Sequence, residues 1–213
     1  MANEKFNKVK DYIVYKVVNH DSNIGLLAGV PHVNYLDLAI IFYRIMPETV
    51  DLEEKKVVLI GNEELFLWDV TVEDLMNAAG ANTSRILGVK IRGILSTIAE
   101  YLDEVSLYEI AEEEDNYIPL YVVSNKYSYN GASVILYKDL LKAIAAKLKS
   151  DIYIIPSSIH EVIVVKSIKG CEIDTDGLKE LIAHINDTSL PEAEVLSNSL
   201  YFYSRDTNVL SIA

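Results

Sequence analysis

DIYIIPSSIHEVIVVK, residues 151–166, sets two runs of β-branched and aromatic residues, Ile152–Ile155 and Val162–Val165, on either side of the hexapeptide PSSIHE. Runs of that length and composition read as buried strands. Pro156 cannot donate to a ladder and so suits a strand end. Ser157 and Ser158 can bond backbone groups in a turn, and His160 opens the returning strand. The stretch therefore predicts a hairpin inside an antiparallel sheet.

The same six residues carry the side chains of a catalytic corner. In an extended chain Ser158 and His160, two apart, share a face about 6.6 Å from one another, with Glu161 pointing away. A serine hydrolase also needs an orienting carboxylate and oxyanion donors, and no G-x-S-x-G elbow presents the serine. The turn is the simpler reading. Ser158, His160 and Glu161 stand as candidate catalytic residues for an alternative, a hydrolase or small-ligand-binding enzyme with its site at the Pro156–Glu161 tip.

Outward from the hairpin, Leu120–Ser124 and Ala132–Tyr137 read as strands joined through Asn130-Gly131, a pair favoured in tight turns. Lys138–Lys149 reads as a helix with Leu140, Leu141, Ile144 and Leu148 inward. Leu178, Leu181, Ile182 and Ile185 mark another helix, capped at Asp174 or Thr175, before strands at Leu200–Tyr203 and Val209–Ile212. In the first half, strands are expected from Ile13 to Val17, over Tyr35–Met46, buried on both faces and closed by Pro47, and over Lys56–Ile60. Thr71 with Asp74 predicts a capping box ahead of the stripe Val72, Leu75, Met76, Ala79. A second helical stripe runs through Ile91, Ile94, Leu95, Ile98 and Leu102. The pattern predicts an α+β fold, a largely antiparallel sheet built from hairpins with helices packed mainly on one face.

A chain of 213 residues suffices for one domain that buries roughly 70% of its unfolded surface. It admits two lobes, an α/β lobe over 1–108 and a hairpin-helix-hairpin-helix lobe over 117–213. Between Tyr101 and Asn116 lie seven acids and no base, which reads as an acidic linker over 109–116. Nineteen Lys and Arg against 32 Asp and Glu leave a net charge of −13. That charge repels phosphate backbones, so no nucleic acid partner is expected.

No apolar run approaches the ~18 residues of a membrane span, and MANEKFNKVK lacks the apolar segment of a secretory signal. Cys171 is the single cysteine, which excludes an intramolecular disulfide and suits a reducing cytoplasm. GVKIRG, residues 88–93, has P-loop glycine spacing but continues with Ile94 and Leu95 where Lys and Ser or Thr are required. No G-x-G-x-x-G occurs, so no cofactor is expected. His20, His32, His160 and His184 stand far apart, so neither is a metal. Glu63, Glu64, Asp69, Glu73 and Asp74 read as a solvated face.

Fourteen tyrosines, among them Tyr117, Tyr121, Tyr127, Tyr129 and Tyr137, crowd the central region. Tyrosine suits strands and also interfaces, which makes Tyr127, Tyr129 and Ser157 binding candidates.

The ordered phrases PHVNYLDLAIIFY, LWDVTVEDLMNAAGANTSRI, VVSNKYSYNGASVILY and SDIYIIPSSIHEVIVV resemble a clostridial family catalogued as domain of unknown function 5688. The resemblance covers the chain from about Val9 onward and implies a bacterial, cytoplasmic α+β protein. It carries over no activity, cofactor or catalytic residue. The family's helix after the tryptophan usually ends in Asn-Thr-Pro-Arg, where this chain has NTSRIL, so no fixed role is expected of the Asn82–Arg85 corner. The sequence points first to a soluble, non-enzymatic protein acting through contacts with a protein partner or a second copy.

Overall fold

A computed structural model describes residues 2–46, 57–103, 105–168 and 174–213. The expected strand end at Pro47 and the lone Cys171 lie outside the described residues. The chain opens with helix α1 (Ala2–Val9) and strand β1 (Ile13–Asn19), then the short helix α2 (Ile24–Leu27) and strands β2 (His32–Tyr35), β3 (Leu38–Ile45) and β4 (Val57–Leu59). These strands form one antiparallel sheet in which β3 lies between β1 on one side and both β2 and β4 on the other. Helices α3 (Asn62–Trp68) and α4 (Val72–Leu87) follow.

The second sheet draws on the rest of the chain: β5 (Lys90–Gly93), β6 (Leu120–Ser124), β7 (Ile152–Ile155), β8 (Val162–Lys166), β9 (Tyr201–Ser204) and β10 (Val209–Ile212). Its order is β10-β9-β7-β8-β6-β5, every neighbour antiparallel. Helices α5 (Ile94–Tyr101) and α6 (Val105–Glu114) separate β5 from β6, α7 (Leu140–Leu148) precedes β7, and α8 (Thr175–Ser189) separates β8 from β9. The architecture is α+β with antiparallel sheets. No described helix is long and apolar enough to cross a membrane.

The hairpin predicted from DIYIIPSSIHEVIVVK is present as β7 and β8, with Ile154 opposite Val164. Ile152, Ile154, Val162 and Val164 sit in the same core cluster as Ile13, Tyr15, Val17, Leu38, Ile40 and Phe42 of the first sheet. One apolar core thus takes side chains from both sheets. The other face of the first sheet is also covered, with Val18, Ala39 and Ile41 packed on Leu27 and Val30. That double burial explains the unbroken apolar reading of β3.

The strand expected over Tyr35–Met46 is present as β3 from Leu38 to Ile45, but Tyr35 belongs to β2 and the two strands form a hairpin. Tyr35 pairs with Leu38, and Leu36 between them adopts φ 55°. The cause lies far along the chain: the Asp37 carboxylate accepts hydrogen bonds from Tyr201 Oη at 2.7 Å and from Ser197 Oγ. His32 engages the Val30 carbonyl through Nδ1 at 3.0 Å.

Ala132–Tyr137, expected as a strand, lies mostly within a 3-10 helix over Gly131–Leu136 whose Ala132, Val134 and Ile135 are buried. The acidic run read as a linker is mostly helix α6, with Ala111 buried and Asp115 buried just past its end. Ile91, read into a helical stripe, belongs to β5. The capping box is as expected: Thr71 Oγ accepts the Asp74 N–H at 3.2 Å, and Asp74 accepts the Thr71 N–H at 2.8 Å.

The Asn82–Arg85 corner does have a fixed role. Asn82 Nδ2 donates to the Lys10 and Ile13 carbonyls at 2.6 and 3.1 Å, and Thr83 Oγ1 accepts the Tyr15 N–H at 3.1 Å. Arg85 donates to the Asp11 carbonyl and to Asn82 Oδ1, both at 2.9 Å. Among the described strands β1 lies at the edge, and α4 supplies partners that a neighbouring strand would otherwise give.

Candidate functional site

At one end of the second sheet the residues on a single face line up by register. Lys90 pairs with Ser124 and Arg92 with Val122, and the pairing of Val123 with Val162 places Glu161 next to Ser124 across the following strand. Lys90, Ser124 and Glu161 thereby form a row across three strands. Helix α5, which starts directly after Gly93, carries Thr97, Glu100 and Tyr101 to the same place. Together with Ser158 and His160 from the hairpin tip these groups line a groove of about 550 Å³.

The tip itself is held by backbone bonds. Ser158 N–H donates to the Glu161 carbonyl, and Ile159 N–H donates to the Glu194 carbonyl at 2.9 Å. The Ile159 carbonyl accepts the Ala132 N–H, and the His160 carbonyl accepts Ser124 Oγ at 2.7 Å. Gly131 is needed for this approach, because a Cβ there would lie 2.0 Å from Ser124 Oγ and 2.6 Å from the His160 oxygen. Asn130-Gly131 therefore serves close packing against PSSIHE, with Asn130 at φ 50° leading into the 3-10 helix.

The three catalytic candidates meet at the groove without forming a nucleophile–base pair. Ser158 Oγ accepts the backbone N–H of His160 at 3.0 Å, a local serine turn. The imidazole is engaged elsewhere. Its Nδ1 accepts the Asn130 N–H at 3.2 Å, and its Nε2 lies 3.9 Å from a Glu194 carboxylate oxygen. With Nδ1 as acceptor, the neutral ring carries its proton on Nε2. An activated serine needs an imidazole nitrogen in hydrogen-bond reach as acceptor, and both nitrogens are turned to other partners.

Glu161 lies in a mixed environment. Burial pushes its carboxyl above the ordinary value of 4.5, while His160 and Lys90 pull the other way. Opposite it, the Glu100 carboxylate is shared by two cations, bound by Lys90 Nζ through both oxygens at 3.0 and 3.1 Å and by Arg92 Nη1. The Arg92 guanidinium also lies 5.7 Å from the Tyr108 ring centre, within cation–π range. The groove thus presents cationic donors on one wall and a carboxyl, hydroxyls and an imidazole on the other.

Of the binding candidates, Tyr129 packs its ring on His160 at 5.3 Å between centroids. Tyr127 turns away to the cluster of Val14, Ile45 and Leu87, and Ser157 is half-buried beside the tip. Lys90, Arg92, Glu100 and Tyr101 join the groove without being among the residues the sequence points to. A signal for the first two exists in KIRG, where cations two apart share one face of a strand. Among the described residues no three His, Cys, Asp or Glu side chains converge as a metal site.

The geometry stands without a solved precedent: no curated protein and no solved structure matches the chain significantly. The sequence does match a family of unknown function (DUF5688) across residues 2–205, and the chain belongs to that family.

Proposed function

We propose that the chain is a binding protein that holds a small polar molecule in the groove beneath PSSIHE. The observation that carries this reading is the convergence of Lys90, Arg92, Glu161 and His160 on one concave surface of about 550 Å³, a size and polarity suited to a metabolite-sized ligand. Ser–His hydrolysis is disfavoured because the His160 ring nitrogens face Asn130 and Glu194. The net charge of −13 and the single cysteine support a soluble protein of a reducing compartment. The test is a screen of small acids, amines and sugars by amide NMR. Binding should shift resonances of residues 90–101, 122–128 and 158–161 together, and hits that shift only other regions would overturn the reading.

A second reading, protein contact, rests on the α5–α6 hairpin. Tyr101, Ile110 and Leu102 are 91%, 60% and 57% exposed, side chains of the kind that protein contacts cover. Light scattering over a wide concentration range tests self-association, which Ile110→Ser should abolish. A monomer at all concentrations would leave a heterologous partner as the remaining form of this reading.

A further inference from the structure

Glu100 sits in an unusual position for a surface acid. Its one carboxylate satisfies both cations of the groove, Lys90 with two contacts and Arg92 with one. The two cations are alternate residues of β5 and so project from the same face. They form a fork that would hold any carboxylate or phosphate by charge-assisted bonds, and Glu100 reaches it from α5, the element adjoining β5. Across the same face Glu161 stands two strands from Lys90, roughly 10 Å away by strand spacing, and is an acceptor when ionised.

Resting on the ligand-binding reading above, we infer that the ligand is a small organic anion bearing a hydrogen-bond donor, and that Glu100 occupies the anion's seat. The ligand's acid group displaces the Glu100 carboxylate from Lys90 and Arg92. Its amino or hydroxyl group faces Glu161. Glu100 is a competing group in this arrangement, so removing its charge strengthens binding, the reverse of what removing a ligand contact does.

Displacement is feasible because the contacts are cheap to break. All three side chains are partly exposed, and exposed pairs of this kind contribute about 0.2–1 kcal/mol each. Two such pairs convert to about two- to thirtyfold in affinity.

The test uses calorimetry with two probes, inorganic phosphate and phosphoethanolamine, and amide NMR to locate binding. Glu100→Gln should bind both probes about two- to thirtyfold more tightly than wild type. Lys90→Met and Arg92→Met should each weaken both. Glu161→Gln should remove the preference for phosphoethanolamine over phosphate. Glu109→Gln, an exposed acid on α6, controls for the general loss of one negative charge and should have little effect at physiological salt. If phosphoethanolamine shifts groove resonances but Glu100→Gln weakens binding or leaves it unchanged, Glu100 is not a competitor and the inference falls while the ligand-binding reading stands. An equal gain in Glu109→Gln would likewise overturn it. Should Glu100→Gln bind neither anion while neutral or cationic compounds shift the groove, the ligand class is wrong. If no compound shifts the groove in wild type or variants, both fall.

Discussion

Replacing Gly93 by alanine would place a methyl carbon 1.9 Å from Asp115 Cγ and 2.1 and 2.3 Å from its two oxygens. The backbone is not the obstacle, since Gly93 has φ −64° and ψ 157°, values open to alanine. The obstacle is a carboxylate that caps α5 from beyond the end of α6. Asp115 accepts the N–H groups of Leu95 and Ser96 at 2.8 and 3.0 Å, together with the Ser96 hydroxyl. With an overlap above 1 Å the carboxylate must leave. Loss of a cap costs about 1–2 kcal/mol, and stranding a buried donor adds about 1–3 kcal/mol.

Gly93→Ala should therefore destabilise by about 2–5 kcal/mol, and Asp115→Ala by a similar amount for the same reason. The double variant should cost little more than Asp115→Ala alone, because the clash and the cap vanish together. The coupling then equals the Gly93→Ala penalty, about 2–5 kcal/mol, well beyond the ~0.5 kcal/mol within which independent sites add. Urea denaturation followed by circular dichroism of all four proteins measures it. Additive penalties would refute the claim that Gly93 is required by Asp115.

Asn82→Ala, which strands the Lys10 and Ile13 carbonyls bound by its amide, should lower stability by about 1–3 kcal/mol in the same denaturation assay. A fluorophosphonate probe should leave Ser158 unmodified, because its Oγ is committed to the His160 N–H rather than to an imidazole; labelling detected by mass spectrometry and lost in Ser158→Ala would contradict that geometry. Glu161 has its carboxyl raised above 4.5 chiefly by burial, so the folded state holds this proton more tightly than the unfolded one. Its contribution is complete below the ordinary value and is lost as pH climbs through the window between 4.5 and the raised folded value. Glu161→Gln should consequently flatten the stability profile across that window, with the variant faring relatively better at neutral pH than in acid, as read from denaturation midpoints.

The elements legible in the sequence are those whose cause is local. The β7–β8 hairpin follows from its own apolar runs and Pro156, and the Thr71–Asp74 box needs only four residues. What escaped depends on contacts between distant segments. Leu36 and Asp37 break an apolar run because Ser197 and Tyr201 bind Asp37 from about 160 residues away. Gly131–Leu136 has the composition of a strand, yet Gly131 packs against Ser124 and His160 and the following residues are buried as a 3-10 helix. The acid-rich α6 is folded because Ala111 is buried and Asp115 serves α5. At the site, sequence offered Ser158, His160 and Glu161 by their chemistry. The cation pair on β5 was hidden because Ile91 continues the apolar stripe of the helix after it.

In the proposed function the groove beside His160 receives a small polar ligand. Its most direct test is a crystal structure of the protein soaked in a mixture of metabolite-sized organic acids and amines. Electron density is expected between Lys90 and Glu161, with the Glu100 side chain moved off Lys90 and Arg92. Density found only elsewhere, with Glu100 still seated on both cations at saturating concentrations, would contradict it.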